Sequence, residues 1–306
     1  MISLLLMKKI FQLFLIMLMG FIAVKARILK TDDAAIISKA TLYLFCPCAI
    51  LNCFQVDYTP QLGRGLLLAL AAGLLFQMLI IAVCTGASRV FRLEKVEFAS
   101  SIYSNSVNLI IPVVTSVLGP EWVIYTAGYF TVQTFLFWSH LINMFSGEGI
   151  QLKKVLTNVN VIAAFAGLIM MIAGFRLPPL IGATVAEVGG MIGPLSMFTI
   201  GILMAKISAR EMFCTKKIYL VLFLRMLLCP AVILLVIRLT GMAQLVENGQ
   251  QILLVSLLAA SAPTANMVAQ FASIYNDKAS YASAIGSLTM LSCIITMPLF
   301  VFFYGL

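Results

Sequence analysis

Residues 98–118 read F-A-S-S-I-Y-S-N-S-V-N-L-I-I-P-V-V-T-S-V-L, long and apolar enough to cross a bilayer as a helix, yet interrupted. Pro112 donates no backbone hydrogen bond, so a continuous helix here would leave the carbonyl of Asn108 free. The proline ring also pushes Ile111 toward an extended conformation. Asn105, Asn108 and Pro112 are spaced three and four apart and, as helical residues, share one face. Lipid cannot satisfy a broken backbone, so such a face must meet protein or a water-filled cavity. A second stretch, residues 250–273, repeats the pattern with Pro263, Thr264 and Asn266, and Pro263 there frees the carbonyl of Ala259. Two interrupted apolar segments, one in each half, are the sequence signature of a transporter's binding site.

Composition sets the surroundings of these breaks. Hydrophobic residues are 62% of the 306 and charged residues only 10%, which excludes an ordinary soluble domain. The net charge of +9 does not point to nucleic acid, because Lys and Arg sit in short clusters between apolar runs, as in cytoplasmic loops. The seven cysteines lie mostly in or beside those runs, and Cys46-Pro-Cys48 is too tightly spaced for a zinc or redox pair. They read as free thiols used as small apolar side chains.

Ten spans are expected, at about 4–24, 38–55, 65–88, 98–118, 122–145, 157–175, 183–205, 218–240, 250–273 and 281–304. The fold class is thus an all-α integral membrane protein forming a single membrane domain, with no soluble domain. The first apolar run lacks a small-residue cleavage site and is kept as a span. Fourteen basic residues flank the odd-numbered connections against three on the even ones, which places the odd loops in the cytoplasm and both termini outside. Lys8 and Lys9 oppose this but are outnumbered. Five spans per half require that residues 157–306 enter the membrane inverted relative to residues 1–145. The fourth and ninth spans should then cross antiparallel near mid-membrane. Beyond each break a half-helix presents its positive N-terminal end, which favours an anion.

The run N-S-V-N-L-I-I-P (residues 105–112) resembles the fourth-span signature of the auxin efflux carrier family. The stretches S-A-P-T-A-N (261–266) and A-I-G-S-L-T-M-L-S-C-I-I-T-M-P (284–298) resemble that family's ninth and tenth spans, and the resemblance covers the whole chain. Family members often carry glycine where this chain has Val107 and Ile110. The resemblance implies a carrier for organic anions: auxin in plants, small carboxylates such as malate or malonate in bacteria. It also implies a homodimer, a scaffold of spans 1, 2, 6 and 7, and a mobile body made of the other six. A substrate site lined by Asn105, Pro112 and Pro263 is implied too. From the residues themselves, Asn108, Thr264 and Asn266 join the candidate set.

Plainer readings stand beside these. Pro47, Pro194, Pro230 and Pro298 are read as kinks, and Asn108 and Asn266 serve equally well as bridges between helices. Arg225, inside the eighth span, is expected to snorkel toward headgroups, with attraction of an anion as the alternative. Asp57 and Glu187 are read as solvent-exposed at helix ends, and His140 as a bystander rather than a proton relay. No nucleotide-binding loop, zinc-protease motif or nucleophile-base pair occurs, so neither an ATP-driven pump nor an enzyme is expected, and no cofactor or metal. The expected function is a secondary carrier in the cell membrane for a small organic carboxylate, working by elevator-type alternating access. The rivals are a sodium-coupled symporter of the bile-acid type and a transport-inactive sensor or scaffold of the same fold.

Overall fold

The computed structural model describes residues 2–106, 109–147, 153, 156–205, 215–275 and 277–305. Among these the chain is helical, apart from turns and one backbone bridge. The elements are α1 (Ile2–Lys25), α2 (Asp33–Cys53), α3 (Pro60–Phe91), α4 (Lys95–Ile102) and α5 (Ile110–Val117). Then come α6 (Thr126–Leu136), continued through a wide turn at Phe137–Leu141 to Ile142–Ser146, and α7 (Val159–Ile172). The remainder are α8 (Pro179–Met204), α9 (Lys216–Thr240), α10 (Gly249–Ser261), α11 (Asn266–Ile274) and α12 (Ala279–Tyr304). Five of them, α2, α3, α8, α9 and α12, are long and apolar enough to cross a membrane. Their outer faces carry side chains such as Leu67, Leu180 and Ile295, exposed by 67%, 80% and 73%, which water would not tolerate in such numbers but lipid does.

Helix ends follow local chemistry more than hydropathy. α2 and α3 each begin five residues before the expected spans, at Asp33 and Pro60. For α3 the reason is a cap: the Thr59 hydroxyl accepts from Leu62 N at 3.1 Å and Pro60 occupies the first turn, where its missing N–H costs nothing. At 32 residues α3 is about 48 Å long, more than the hydrocarbon core, so it tilts or projects. Pro47 and Pro230 each sit two residues past a widened turn, at Thr41–Phe45 and Leu224–Leu228. The extra residue in each turn absorbs the hydrogen bond that the proline cannot make. Pro194 lies in the first turn after the break of α8 at Met191, and Pro298 lies inside α12.

The helices pack in two groups. α1 lies along the Ile192–Met204 half of α8, while the Cys46–Cys53 half of α2 packs on α7 and on the Pro179–Gly190 half of α8. In the other group α3 packs on α6, α10 and α4, and α9 on α4, α10 and α12. Small residues set the closeness within each: a Cβ on Gly201 would stand 1.8 Å from the Met17 carbonyl oxygen, and one on Gly128 would stand 2.4 Å from the Ala69 carbonyl carbon. A seam divides the groups, crossed by contacts of α1 with α5 and α12.

Candidate functional site

The first interruption falls earlier than Pro112 suggests. α4 opens on a capping box, in which Glu94 N–H donates to the Glu97 carboxylate at 2.8 Å, and closes at Ile102. Tyr103 is extended, with φ −95° and ψ 127°, and the chain is helical again from Ile110. Pro112 therefore lies in the first turn of α5, where it breaks nothing, and Ile111 is helical rather than extended. Asn105 is not helical, so it shares no helix face with Pro112. Asn108 and Val107 lie outside the described residues. The second interruption is shorter. α10 ends at Ser261, Ala262 is extended at φ −61° and ψ 153°, and α11 starts at Asn266, leaving Pro263 within the break.

The two extended pieces meet as an antiparallel bridge of Ser104 with Thr264. Asn105 N–H donates to Pro263 O at 2.7 Å and Ala265 N–H donates to Tyr103 O at 2.9 Å. Backbone groups that each helix gave up are thus paired across the crossing. Side chains fix the rest. Gln133 of α6, fully buried, donates to Ser104 O at 2.6 Å and accepts from the Ser104 and Ser106 hydroxyls at 3.1 and 2.5 Å. The Thr264 hydroxyl donates to Ser100 O at 2.9 Å, and its N–H donates to Thr289 Oγ1 at 3.2 Å.

Arg225 corrects the snorkelling expectation. It is 0% exposed, and its guanidinium turns inward to donate to Ala262 O at 2.9 Å, Ala260 O at 2.5 Å and Ile102 O at 3.2 Å. Those carbonyls end α4 and α10, where unpaired C=O groups carry partial negative charge. Satisfying them outweighs reaching for headgroups, because bare carbonyls at this depth have no water to turn to. Gln77 also donates to Ile102 O at 3.4 Å and accepts from the Tyr129 hydroxyl at 2.7 Å.

On the other side of the crossing, at the seam between the helix groups, lies a cavity of about 90 Å³. The crossing contributes Ser104, Asn105, Ser106, Ala265 and Asn266, and α6 adds Thr134 with Trp138 beyond it. The facing wall is Thr41, Asn160, Ser196 and Thr199 from α2, α7 and α8. Every described lining side chain is uncharged. Four buried polar atoms of this lining have no hydrogen-bond partner: Asn105 Nδ2, Thr134 Oγ1, Asn160 Oδ1 and Ser196 Oγ. Such atoms cost free energy when bare, so the cavity is built for waters or a small polar ligand. It shares Ser38, Leu42, Asn266 and Gln270 with a larger space of about 460 Å³ that reaches Asp32 and Lys39 beside the connection from α1 to α2.

Of the residues singled out from sequence, Asn105 and Asn266 line the cavity together. Pro263 and Thr264 hold the bridge by backbone and hydroxyl, and Pro112 packs toward Gly193 of α8. The Tyr103 hydroxyl, 2.7 Å from His140 Nδ1, ties His140 to the crossing without placing it on the cavity. Asp57 and Glu187 are exposed, Asp57 in an ion pair with Arg176 at 2.7 Å. The six described cysteines are free thiols. Gln77, Gln133 and the Asn160–Ser196–Thr199 wall were missed. The two glutamines carried a signal, uncharged amides inside apolar helices, but nothing in the sequence names their partners. Asn160 hides two residues after the cap Asn158, whose side chain accepts from Asn160 N–H at 2.9 Å.

Two further groups sit at the far end of α4. Glu97, 2% exposed, accepts from Tyr281 at 3.0 Å and pairs with Lys217 at 3.2 Å, while exposed Glu94 pairs with Lys278 at 2.5 Å. The hydrogen bond from Lys278 holds the Glu94 carboxyl below the usual carboxylate range and raises the Lys278 ammonium.

The sequence profile of a family described as membrane transport protein matches residues 5–159 and 148–301, nearly the whole chain. No curated protein matches it.

Proposed function

The chain belongs to the membrane transport protein family, that of the auxin efflux carriers, and from this premise we propose that it is a secondary carrier for small organic anions, carboxylates of the malate or malonate kind. The observation that carries the reading is the seam cavity, small, free of charged side chains among its described lining and holding four unpartnered buried polar atoms. An uncharged cradle binds an anion through N–H and O–H donors loosely enough to release it, which a carrier needs. The N-terminal end of α11 opens onto this cavity at Ala265, Asn266 and Met267, adding partial positive charge.

Alternating access would follow from the two-group packing. The group of α1, α2, α7 and α8 serves as the fixed scaffold and forms a homodimer. The group bearing the crossing slides against it as one body, and ten spans in two inverted repeats supply the symmetry for the two end states. With the odd connections in the cytoplasm and both termini outside, the larger space beside Asp32 and Lys39 is an inward-facing vestibule. The protein sits in the cell membrane.

Uptake of labelled malate and malonate into proteoliposomes tests the function, with imposed proton or sodium gradients identifying the drive. Asn105→Ala should lower affinity roughly tenfold to a hundredfold, the loss of one hydrogen bond to a charged group. Equal uptake in empty and loaded liposomes, or unchanged affinity in Asn105→Ala, would overturn the reading.

A further inference from the structure

The charge of Arg225 has no acidic partner among the described residues, and the cavity does not touch it. It lies instead on the carbonyl ends of both interrupted helices, α4 through Ile102 and α10 through Ala260 and Ala262. Each helix end carries about half an elementary charge, so two C-terminal ends offset one guanidinium. What is left uncompensated at the crossing is the positive N-terminal side. Asn105, 5% exposed with its Nδ2 unpartnered, and the start of α11 present that side to the cavity.

We infer that Arg225 is a positioning residue that sets the charge preference of the seam cavity from behind: by occupying both negative helix ends it leaves the crossing with a net positive field toward the ligand, and it locks the two breaks into one body. This rests on the proposed carrier function and adds to it the residue that makes the site prefer anions although no cation stands among its described lining. Arginine suits the place better than lysine. Its planar fork reaches carbonyls of two helices at once and keeps its charge when buried, whereas a buried lysine readily gives up its proton.

The test compares binding of malonate with that of its uncharged diamide, by calorimetry on purified protein. Wild type should prefer malonate. Arg225→Gln should lower that preference roughly tenfold by weakening malonate and leaving the diamide nearly unchanged, and Arg225→Lys should restore part of it. A general loss of structure would weaken both ligands alike. Cys84→Asp supplies a second route that keeps the arginine. Cys84 Sγ lies 3.8 Å from Cys229 Sγ, one helical turn from Arg225, and is within electrostatic reach of the guanidinium, so a carboxylate there sets an opposing charge beside it. It too should lower the preference, and it decides the matter if Arg225→Gln does not fold. A folded Arg225→Gln or Cys84→Asp with the wild-type ratio overturns the inference while leaving the carrier reading intact. A wild type that prefers the diamide overturns the carrier reading, and this one with it.

Discussion

The two interruptions reach the same crossing by different means. The first lies between an eight-residue α4 and an eight-residue α5, with residues 103–106 and Leu109 described outside both helices, and its proline comes after the break. The second needs only residues 262–265 between a 13-residue α10 and a nine-residue α11, with Pro263 inside it. The long break is braced by a side chain from another helix, Gln133, which spends its whole amide on Ser104 and Ser106. The short one is braced by Arg225, which donates to Ala260 O and Ala262 O, and by its own Thr264, through single bonds to Ser100 and Thr289. A break therefore persists in a membrane where its backbone is taken up by partners, and a proline is neither sufficient nor always its cause.

The largest effect expected from this contrast is that of Gln133→Leu. It strips three hydrogen bonds from the long break and leaves the Ser104 carbonyl and two hydroxyls bare, each orphan costing about 1–3 kcal/mol. We expect a loss of roughly 3–5 kcal/mol, measured as unfolding in mixed detergent, with transport abolished even at temperatures where the protein stays folded. Retained transport at wild-type stability would show that the bridge alone holds the first break.

Thr264→Val probes the short break and should cost less, since one hydroxyl bond to Ser100 is lost and the backbone bridge survives. Hydrogen bonds between membrane helices average well under 2 kcal/mol, so a loss of about 1 kcal/mol is expected. A Thr264→Val defect equal to that of Gln133→Leu would erase the asymmetry between the two breaks.

Third in size is the pair of prolines. Pro112→Ala should cost less than about 1 kcal/mol, because its ring sits in the first turn of α5, where a proline interrupts no helical ladder. Pro263→Ala should be the more damaging, since alanine lets α10 run on toward Thr264 and competes with the extended bridge. Circular dichroism and thermal unfolding of the two variants read this order directly. A larger effect for Pro112→Ala would return the cause of the first break to its proline.

These residues also show what was legible in advance. The approximate positions of the five long helices, α2, α3, α8, α9 and α12, followed from hydropathy, because a bilayer demands long apolar runs and punishes charge. The existence of two breaks followed from proline and asparagine in such runs. The exact register of the first break did not follow. Proline chemistry predicts a rupture before Pro112, but the same chemistry is equally content in a first turn, and partners distant in sequence, the bridge to Thr264 with Gln133 and Arg225, take up the backbone of the break where it falls. Arg225 was misread for a related reason: from sequence a lone arginine one or two turns from a helix end has headgroups as its nearest sink. The two carbonyl termini that hold it come from residues more than thirty and more than a hundred positions away. The seam wall of Asn160, Ser196 and Thr199 was invisible because each is ordinary in its own helix, and only packing brings them to face Asn105.

The smallest effect belongs to the outer tie between the same two segments. Glu94, which caps α4, pairs with Lys278, which lies just past α11 and caps α12, so the ion pair joins the entry of the first segment to the exit of the second. Both side chains are about half exposed, and exposed pairs contribute little. The sign is nevertheless fixed. Because Lys278 holds the Glu94 carboxyl below its ordinary range, the pair's contribution is fully present above the ordinary carboxylate pKa of about 4.3 and is lost as pH falls through the lowered value. Lys278 stays protonated throughout this window, its own pKa being raised. Wild type should thus lose slightly more thermal stability than Lys278→Ala when pH is taken from 6 to 3, and the two should converge at the acid end. Added salt should shrink the gap at pH 6. If Lys278→Ala instead runs parallel to wild type down to pH 3, the pair contributes nothing, and the crossing is held only from within by its bridge, Gln133, Thr264 and Arg225.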